Sequence, residues 1–368
     1  MRTAIGIGGA ASGREDWQQQ VDLVREAEAL GVDQVWSAEA WGQDCLTTLA
    51  YLAALTERIR LGTGIMQVSA RAPSMAAMSA MTLSTISDGR FILGLGVSGP
   101  QVVEGLIGQP FARPLERLRE YVDVLRLAFA GEKLVYNGNQ YVLPRPGGEG
   151  KALRLAQPPD DRIPIYLATL GPKALELTGA RADGWVGTSF VPEAGDALLA
   201  PIAAGAASAG RSIADLDIQA GGAVRFGDDL DELLTPHRAG TAFSLGAMGS
   251  PSTNFYNDAY RRAGFEEAAI EVQRLWVEHR RDEAIAAVPD ELVLQTNFLG
   301  DDEQVRARIR AYRDAGVTTL RLAPTGRTLD ERVATLGRVM DLVRQVDGET
   351  TSDTSPSADA DATKGAAS

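Results

Sequence analysis

Cysteine and histidine are nearly missing from this sequence: its 368 residues include Cys45 alone and two histidines, His237 and His279. One thiol forms no intrachain disulfide, and so small a stock of soft ligands is poor material for a metal centre, so no bound metal is expected. Both histidines fall in stretches read as helical, away from any serine-centred motif, and are expected to be surface or packing residues. Basic residues are in the minority, 36 Lys and Arg against 49 Asp and Glu, for a formal net charge of −13. That balance lacks the basic patch a nucleic-acid surface requires. No run of about 18 apolar residues occurs, so no membrane-spanning helix is expected. The N-terminus enters a strand-like segment at once, without a signal-peptide core, which points to a soluble cytoplasmic protein. Nucleophile elbows, Walker loops and metal-spaced clusters are also missing, so redox chemistry would rest on an organic cofactor.

What is present is an ordinary globular composition, 45% apolar and 23% charged, with short apolar runs alternating with amphipathic stretches. Strands are predicted over 3–8, 33–37, 59–65, 90–96, 164–168, 184–188, 217–224 and 318–322. Helices are predicted over 16–30, 46–55, 74–86, 114–130, 172–182, 303–315 and 330–346. About eight β/α units in roughly 345 residues fit a closed (β/α)8 barrel (a TIM barrel, α/β class) better than an open sheet. The barrel is expected to fill residues 1–347 as one domain, with insertions near 131–160 and 241–297. The first insertion contains Asn137-Gly138, a signal for a two-residue type I′ hairpin; the second is read as mainly helical. Residues 348–368 hold no large apolar side chain and are read as a disordered acidic tail.

In such a barrel the chemistry sits where the strands end, on the C-terminal face. After the second strand, Glu39 and Asp44 are candidates for acid/base work and Trp41 for a wall against a planar ligand; the plainer alternative is that Asp44 caps a helix and Glu39 is solvated. After the third strand comes Gly62-Thr63-Gly64-Ile65-Met66, where glycine permits close approach of a ligand. After the fourth, Gly94-Leu95-Gly96-Val97-Ser98-Gly99 spells G-x-G-x-x-G, but no strand about 20 residues on ends in the acidic residue that would hold a ribose, so a dinucleotide fingerprint is rejected. After the fifth, Ala168-Thr169-Leu170-Gly171-Pro172 is a small-residue turn into a helix with proline at its first position. Such a turn aims free N–H groups outward, as an anion or phosphate site does.

Together these segments resemble the bacterial luciferase-like monooxygenase superfamily, and within it the branch that uses the deazaflavin coenzyme F420. The most specific pieces are Arg60-Leu61-Gly62-Thr63-Gly64-Ile65, Gly89-Arg90-Phe91-Ile92-Leu93-Gly94-Leu95-Gly96, Tyr166-Leu167-Ala168-Thr169-Leu170-Gly171-Pro172, Ala182-Asp183-Gly184-Trp185 and Met248-Gly249-Ser250-Pro251. The resemblance implies a barrel, commonly dimeric, that binds the deazaflavin at its C-terminal face. It implies a non-prolyl cis bond at Gly64-Ile65 as a bulge behind the ring, and a cofactor phosphate held by the turn from Thr169 to Pro172, with Ala168 at its start. Ala38, Glu39, Val97, Ser98 and Gly99 would then line the ring and the substrate side. It also implies departures. The sugar-phosphate dehydrogenases of this branch have histidine at the position of Glu39, glutamate at that of Gly99 and a lysine near Val191. The methylene-tetrahydromethanopterin reductases have glutamate at that of Gly8.

The expected function is therefore an F420-dependent oxidoreductase exchanging hydride between the deazaflavin carbon 5 and another small organic substrate. Glu39 would be the proton donor or acceptor, Ser98 a hydrogen-bonding partner and Trp41 a wall. An FMN-dependent two-component monooxygenase of the same fold is the alternative, and a non-catalytic cofactor-binding barrel a second one. Lys173, Arg71 and Arg225 are the candidates for holding the cofactor's acidic groups.

Overall fold

In the computed structural model, which describes residues 1–9, 11–250 and 252–352, eight parallel strands close into a barrel. They are β1 (Arg2–Ile7), β2 (Gln34–Ser37), β3 (Arg60–Thr63), β4 (Phe91–Gly96), β5 (Ile165–Leu167), β6 (Gly184–Val186), β7 (Asp217–Phe226) and β8 (Thr319–Pro324). Each pairs with the next, and β8 closes the ring on β1 through the pairs Arg2↔Thr319 to Ile5↔Leu322. All eight strands read from the sequence are present, with ends moved by a few residues. Alternation sets the two faces. Ile5, Leu61, Leu93, Ile165, Ile218, Leu320 and Leu322 pack outward under the helices, whereas Ala4, Trp36, Ile92, Tyr166 and Val186 form a separate cluster inside the barrel.

Eight helices follow the strands: α1 (Arg14–Ala29), α2 (Cys45–Ala53), α3 (Pro73–Ile86), α4 (Pro114–Phe129), α5 (Pro172–Arg181), α6 (Asp196–Ser208), α7 (Asp302–Asp314) and α8 (Leu329–Ser352). Of these, α6 was not legible in the sequence. Its Ala-rich run, broken by Pro201 and Gly205, carries little helical periodicity. Glycines let it lie directly on α5: a Cβ on Gly179 would stand 1.9 Å from the Ile202 carbonyl, and one on Gly205 1.9 Å from the Glu176 carbonyl.

Four sequence expectations are corrected. The helical excursion after β7 starts at Leu230, not 241, because Asp229 caps the helix Leu230–Gly246 by accepting from the Glu232 N–H; Thr241 lies within that helix. The excursion has its own apolar cluster, including Leu234, Leu245, Val272 and Leu292, and ends in the short strand Phe298–Gly300 alongside β7. The hairpin near Asn137 does not turn in type I′ form at Asn137-Gly138: Tyr136↔Leu143 and Asn137↔Val142 pair, the Gly138 N–H donates to the Tyr141 carbonyl at 2.9 Å, and the turn falls on Asn139-Gln140 without a positive φ. Its N–H groups at Asn139, Gln140 and Tyr141 all donate to the buried Glu120 carboxylate at 2.8–2.9 Å. His279 is not helical but sits at φ 62° just past the helix Glu266–Val277. Finally, α8 runs on to Ser352, five residues into the segment read as a tail, where Arg310 grips Glu349 at 2.7 and 2.9 Å; the remainder of that segment lies outside the described residues.

The barrel floor is aromatic. Trp36 and Tyr166 meet with ring centroids 5.4 Å apart. Glycine makes room for them: a Cβ on Gly62 would fall 2.5 Å from the Trp36 ring, and one on Gly94 2.0 Å from the Thr63 carbonyl. Below them Asp217, buried, accepts from Thr319 at 2.6 Å, Thr318 at 2.5 Å, Tyr166 at 2.8 Å and Gln34 at 3.2 Å, and pairs with Arg2 at 2.8 Å.

Candidate functional site at the barrel mouth

The segment after β2 reaches the rim at Ala38, whose N–H donates to the Ile7 carbonyl at 3.0 Å and whose side chain abuts Gly8. Glu39, next along, turns the other way. It is not solvated: its carboxylate pairs with Arg71 at 2.7 Å, accepts from the Cys45 thiol at 2.6 Å, and is 12% exposed. Arg71 spans to Asp44 at 2.6 Å as well, and Gln67 donates to the Ala40 carbonyl at 3.0 Å, so the whole loop is clasped. Asp44 does cap α2, accepting from Thr47 N–H at 2.7 Å. Glu39, Asp44 and Cys45 bring three ligand-type atoms together, but both carboxylates are spent on Arg71. Burial, with the nearby Glu39 charge, also pushes the Cys45 thiol well above its ordinary range, against the thiolate a metal would need. Trp41 stands apart at the rim, 67% exposed.

After β3 the chain crosses Gly64-Ile65 with a cis peptide bond, as the resemblance implied, before the two-residue strand Met66–Gln67 rejoins β4. The Gly64 N–H is tied to the Ser37 carbonyl at 2.7 Å. The Ile65 side chain lies over Gly96, where a Cβ would stand 2.9 Å from it and 3.7 Å from the Ala168 carbonyl. Gly64, Ile65, Gly96 and Ala168 thus form one patch across three strands, floored by Trp36. Val97 packs on the core, Ser98 holds φ 60°, and Gly99 precedes a short helix at Pro100–Gly105.

The turn after β5 has the form expected of an anion site. Gly171 is the N-cap of α5 and offers no side-chain cap, and Pro172 follows at the first helical position. The turn is rigid from behind: Trp185 Nε1 donates to the Thr169 carbonyl at 2.9 Å and Thr169 bonds Thr178 at 2.7 Å. From the front, Arg262 donates to the Leu170 carbonyl at 2.6 Å. A groove of about 400 Å³ opens there between Gly171 and Pro172 on one side and Phe255, Asp258, Arg261 and Arg262 on the other. A larger groove, about 710 Å³, lies between α4 and α5 near Arg126 and Arg181, at the opposite end of the barrel, away from every candidate residue.

The cations named from sequence are mostly spent. Lys173 pairs with Glu176 at 2.9 Å and Arg71 with Glu39 and Asp44; the Arg225 side chain has no hydrogen bond or ion pair among the described residues. Two cations were missed. Arg262 comes from the helical excursion, and nothing local marks it. Arg321 interrupts the apolar run of β8, and that break was a visible signal: at strand spacing it shares the face of Thr319 inside the barrel.

A model of the luciferase-like monooxygenase family matches residues 2–319. A Mycobacterium tuberculosis protein described as a coenzyme F420-dependent oxidoreductase is 42% identical over 316 residues, covering 84% of this chain and 91% of its own length. The 5,10-methylenetetrahydromethanopterin reductase of Methanolobus tindarius is 29% identical over 316 residues, with 85% and 92% covered. Among solved structures, the coenzyme F420-dependent tetrahydromethanopterin reductase of Methanopyrus kandleri superposes with a TM-score of 0.74 at 24% identity, covering 92% of this chain and 98% of that one. With this fold, these rim segments and a match over most of its length, the chain belongs to the luciferase-like monooxygenase family.

Proposed function

We propose that this chain is a coenzyme F420-dependent oxidoreductase acting on a small organic substrate at the barrel mouth. The observation that carries the reading is the uncapped start of α5 at Gly171-Pro172 beside a groove lined by Arg262, in a chain 42% identical to a relative described as F420-dependent. The residues fit such a group. Free N–H groups at a helix start suit a phosphate, and the patch of Gly64, Ile65, Gly96 and Ala168 is built of small residues and one aliphatic side chain, a surface a planar ring can lie against. Bound there, the deazaflavin would supply hydride exchange at its carbon 5.

Around it, Gly64 and Ile65 back the ring, Ala38, Val97, Ser98 and Gly99 line its sides, and Ala168, Thr169, Leu170, Gly171 and Pro172 hold its acidic end. Ser98 gives a hydroxyl to the substrate side, and Trp41, exposed at the rim, is a wall. Glu39, ion-paired to Arg71, is the proton donor or acceptor in this reading, and would part from Arg71 to act. A homodimer goes with this reading. Tyr51, Leu55, Met75, Met78 and Ile86 expose apolar surface on or just beyond α2 and α3, which a second copy would cover.

Titrating purified apoprotein with coenzyme F420, FMN and NADP tests the cofactor. Saturable binding of F420 at least tenfold tighter than FMN is expected. Tighter FMN binding with oxygen-dependent turnover overturns the proposal in favour of a flavin monooxygenase.

A further inference from the structure

Opposite the β3–β5 patch, the interior of the mouth between β7, β8 and β1 is open. Gly6 faces inward and is exposed, and a Cβ placed on it would meet nothing within 4 Å. Ala323 of β8 is exposed, and its register partner Ala223 of β7 is half-exposed. One step deeper on the same face lies Arg321, level with Gly221 of β7 and Ala4 of β1, neither of which carries a side chain that could fill the space beside it.

Arg321, partly buried, is unlike the other arginines held against the barrel. Arg2 has Asp217, Arg71 has Glu39 and Asp44, and Arg90 has the carbonyls of Ala53, Thr56 and Ile59. Among the described residues no hydrogen bond or ion pair holds the Arg321 guanidinium. Burial lowers its pKa, and the only groups offsetting this are the phenols of Tyr312 and Tyr256. No carboxylate stands among these neighbours, in a chain whose net charge is −13. An enclosed cation without a counter-charge is costly to keep. Two more unpaired arginines lie toward the rim of the same quadrant: Arg225, near the end of β7, and Arg332, in the first turn of α8, also lowered by burial. The ends of the seventh and eighth strands are a recurrent anion-binding place in barrels of this kind.

We propose that this pocket, with Arg321 at its base and Gly6, Ala223 and Ala323 as its walls, binds a carboxylate of the substrate. A guanidinium presents a planar fork that matches a carboxylate with two parallel hydrogen bonds, and the small walls leave room for the carbon skeleton above it. The substrate class is therefore an organic acid. The inference rests on the oxidoreductase reading above for the word substrate, but the pocket itself does not depend on which cofactor binds. The same chemistry could come from the cofactor's glutamate tail. The substrate is the better source, because Arg321 stands three strands around the ring from the α5 turn that would hold the cofactor's phosphate.

The test measures binding of benzoate and benzamide to the full chain by tryptophan fluorescence and melting temperature, in wild type, R321Q and R321K. Wild type is expected to bind the acid at least about tenfold more tightly than the amide, R321K to keep part of that preference and R321Q to lose it. Equal binding of acid and amide by wild type overturns the proposal even if neither variant folds. So does an acid preference that survives in R321Q. Coenzyme F420 and its deazaflavin fragment without phosphate and glutamates are titrated in parallel. If R321Q weakens the former tenfold and not the latter, the tail occupies the pocket and the substrate assignment falls. If wild type binds no F420 yet prefers the acid, the cofactor reading falls and the carboxylate pocket stands.

Discussion

Asp217 is where a single atom change should be felt most clearly. Burial by itself would raise its pKa, but the hydroxyls of Thr318 and Thr319, the Arg2 guanidinium and the Tyr166 hydroxyl together hold it below the ordinary carboxylate value. Asp217→Asn keeps the shape and removes the charge. The hydroxyls can rotate to suit the amide, but Arg2 has only protons to offer and meets an N–H₂ group or a weaker carbonyl. Charge-assisted bonds inside a protein are each worth about 1.5–3 kcal/mol. Arg2 is half exposed, so its share is discounted for screening. The substitution should cost about 2–4 kcal/mol, which in a barrel of this length is roughly 3–6 °C in Tm. The pH dependence has a definite sign. A carboxylate with a lowered folded pKa contributes stability that is present above its unfolded value, near 4, and is lost as pH falls through the folded value. The gap between wild type and Asp217→Asn in urea melts should therefore be full from pH 7 to about 5 and shrink below about 4. A gap under 0.5 kcal/mol at pH 7, or one unchanged down to pH 2.5, would refute the account of this network.

Three further outcomes are expected. Gly94→Ala places a Cβ 2.0 Å from the Thr63 carbonyl and 2.9 Å from Trp36, so it should cost more than about 3 kcal/mol or abolish soluble expression. Gly99→Ala, whose Cβ would meet only the Gln101 side chain at 3.6 Å, should fold normally, and the soluble yields of the two compare them. Glu120→Gln leaves one of three N–H donors facing an amide N–H₂, so a loss of about 2–3 kcal/mol and faster proteolytic nicking within 137–142 are expected; an unchanged digestion pattern counts against the anchor. Glu39→Gln should lower turnover at saturating cofactor at least about tenfold while changing cofactor affinity less than about threefold. Full turnover at every pH removes Glu39 from the chemistry and leaves it a clasp for the loop.

The strands were legible because each is a short apolar run bounded by glycine or charge, and burial on both faces of a barrel strand favours such runs. The α5 turn was legible for a local reason too: Gly171-Pro172 states its own backbone. What could not be read locally was anything fixed from far away. Nothing in its sequence surroundings sets Glu120 apart from the other acids of an amphipathic helix, and only the fold brings a loop some twenty residues later onto it. Glu39 was legible as an acid at the end of β2, but not its ion pair, because Arg71 is distant in sequence and adjacent in space. The helix α6 was missed because its alanines and glycines encode closeness to α5 rather than a water-facing stripe.

The aromatic floor has a kinetic consequence. With Trp36 lying on Gly62 and Gly94, and Tyr166 beside it, no passage for an organic molecule is left downward through the barrel among the described residues. Whatever reaches the space above Arg321 has come in over the rim and must go out the same way. A vessel with one opening imposes a queue. Two reactants that share this mouth should then show ordered addition, the inner one first, with release in reverse. Product inhibition patterns would report that order even before the natural substrate is known.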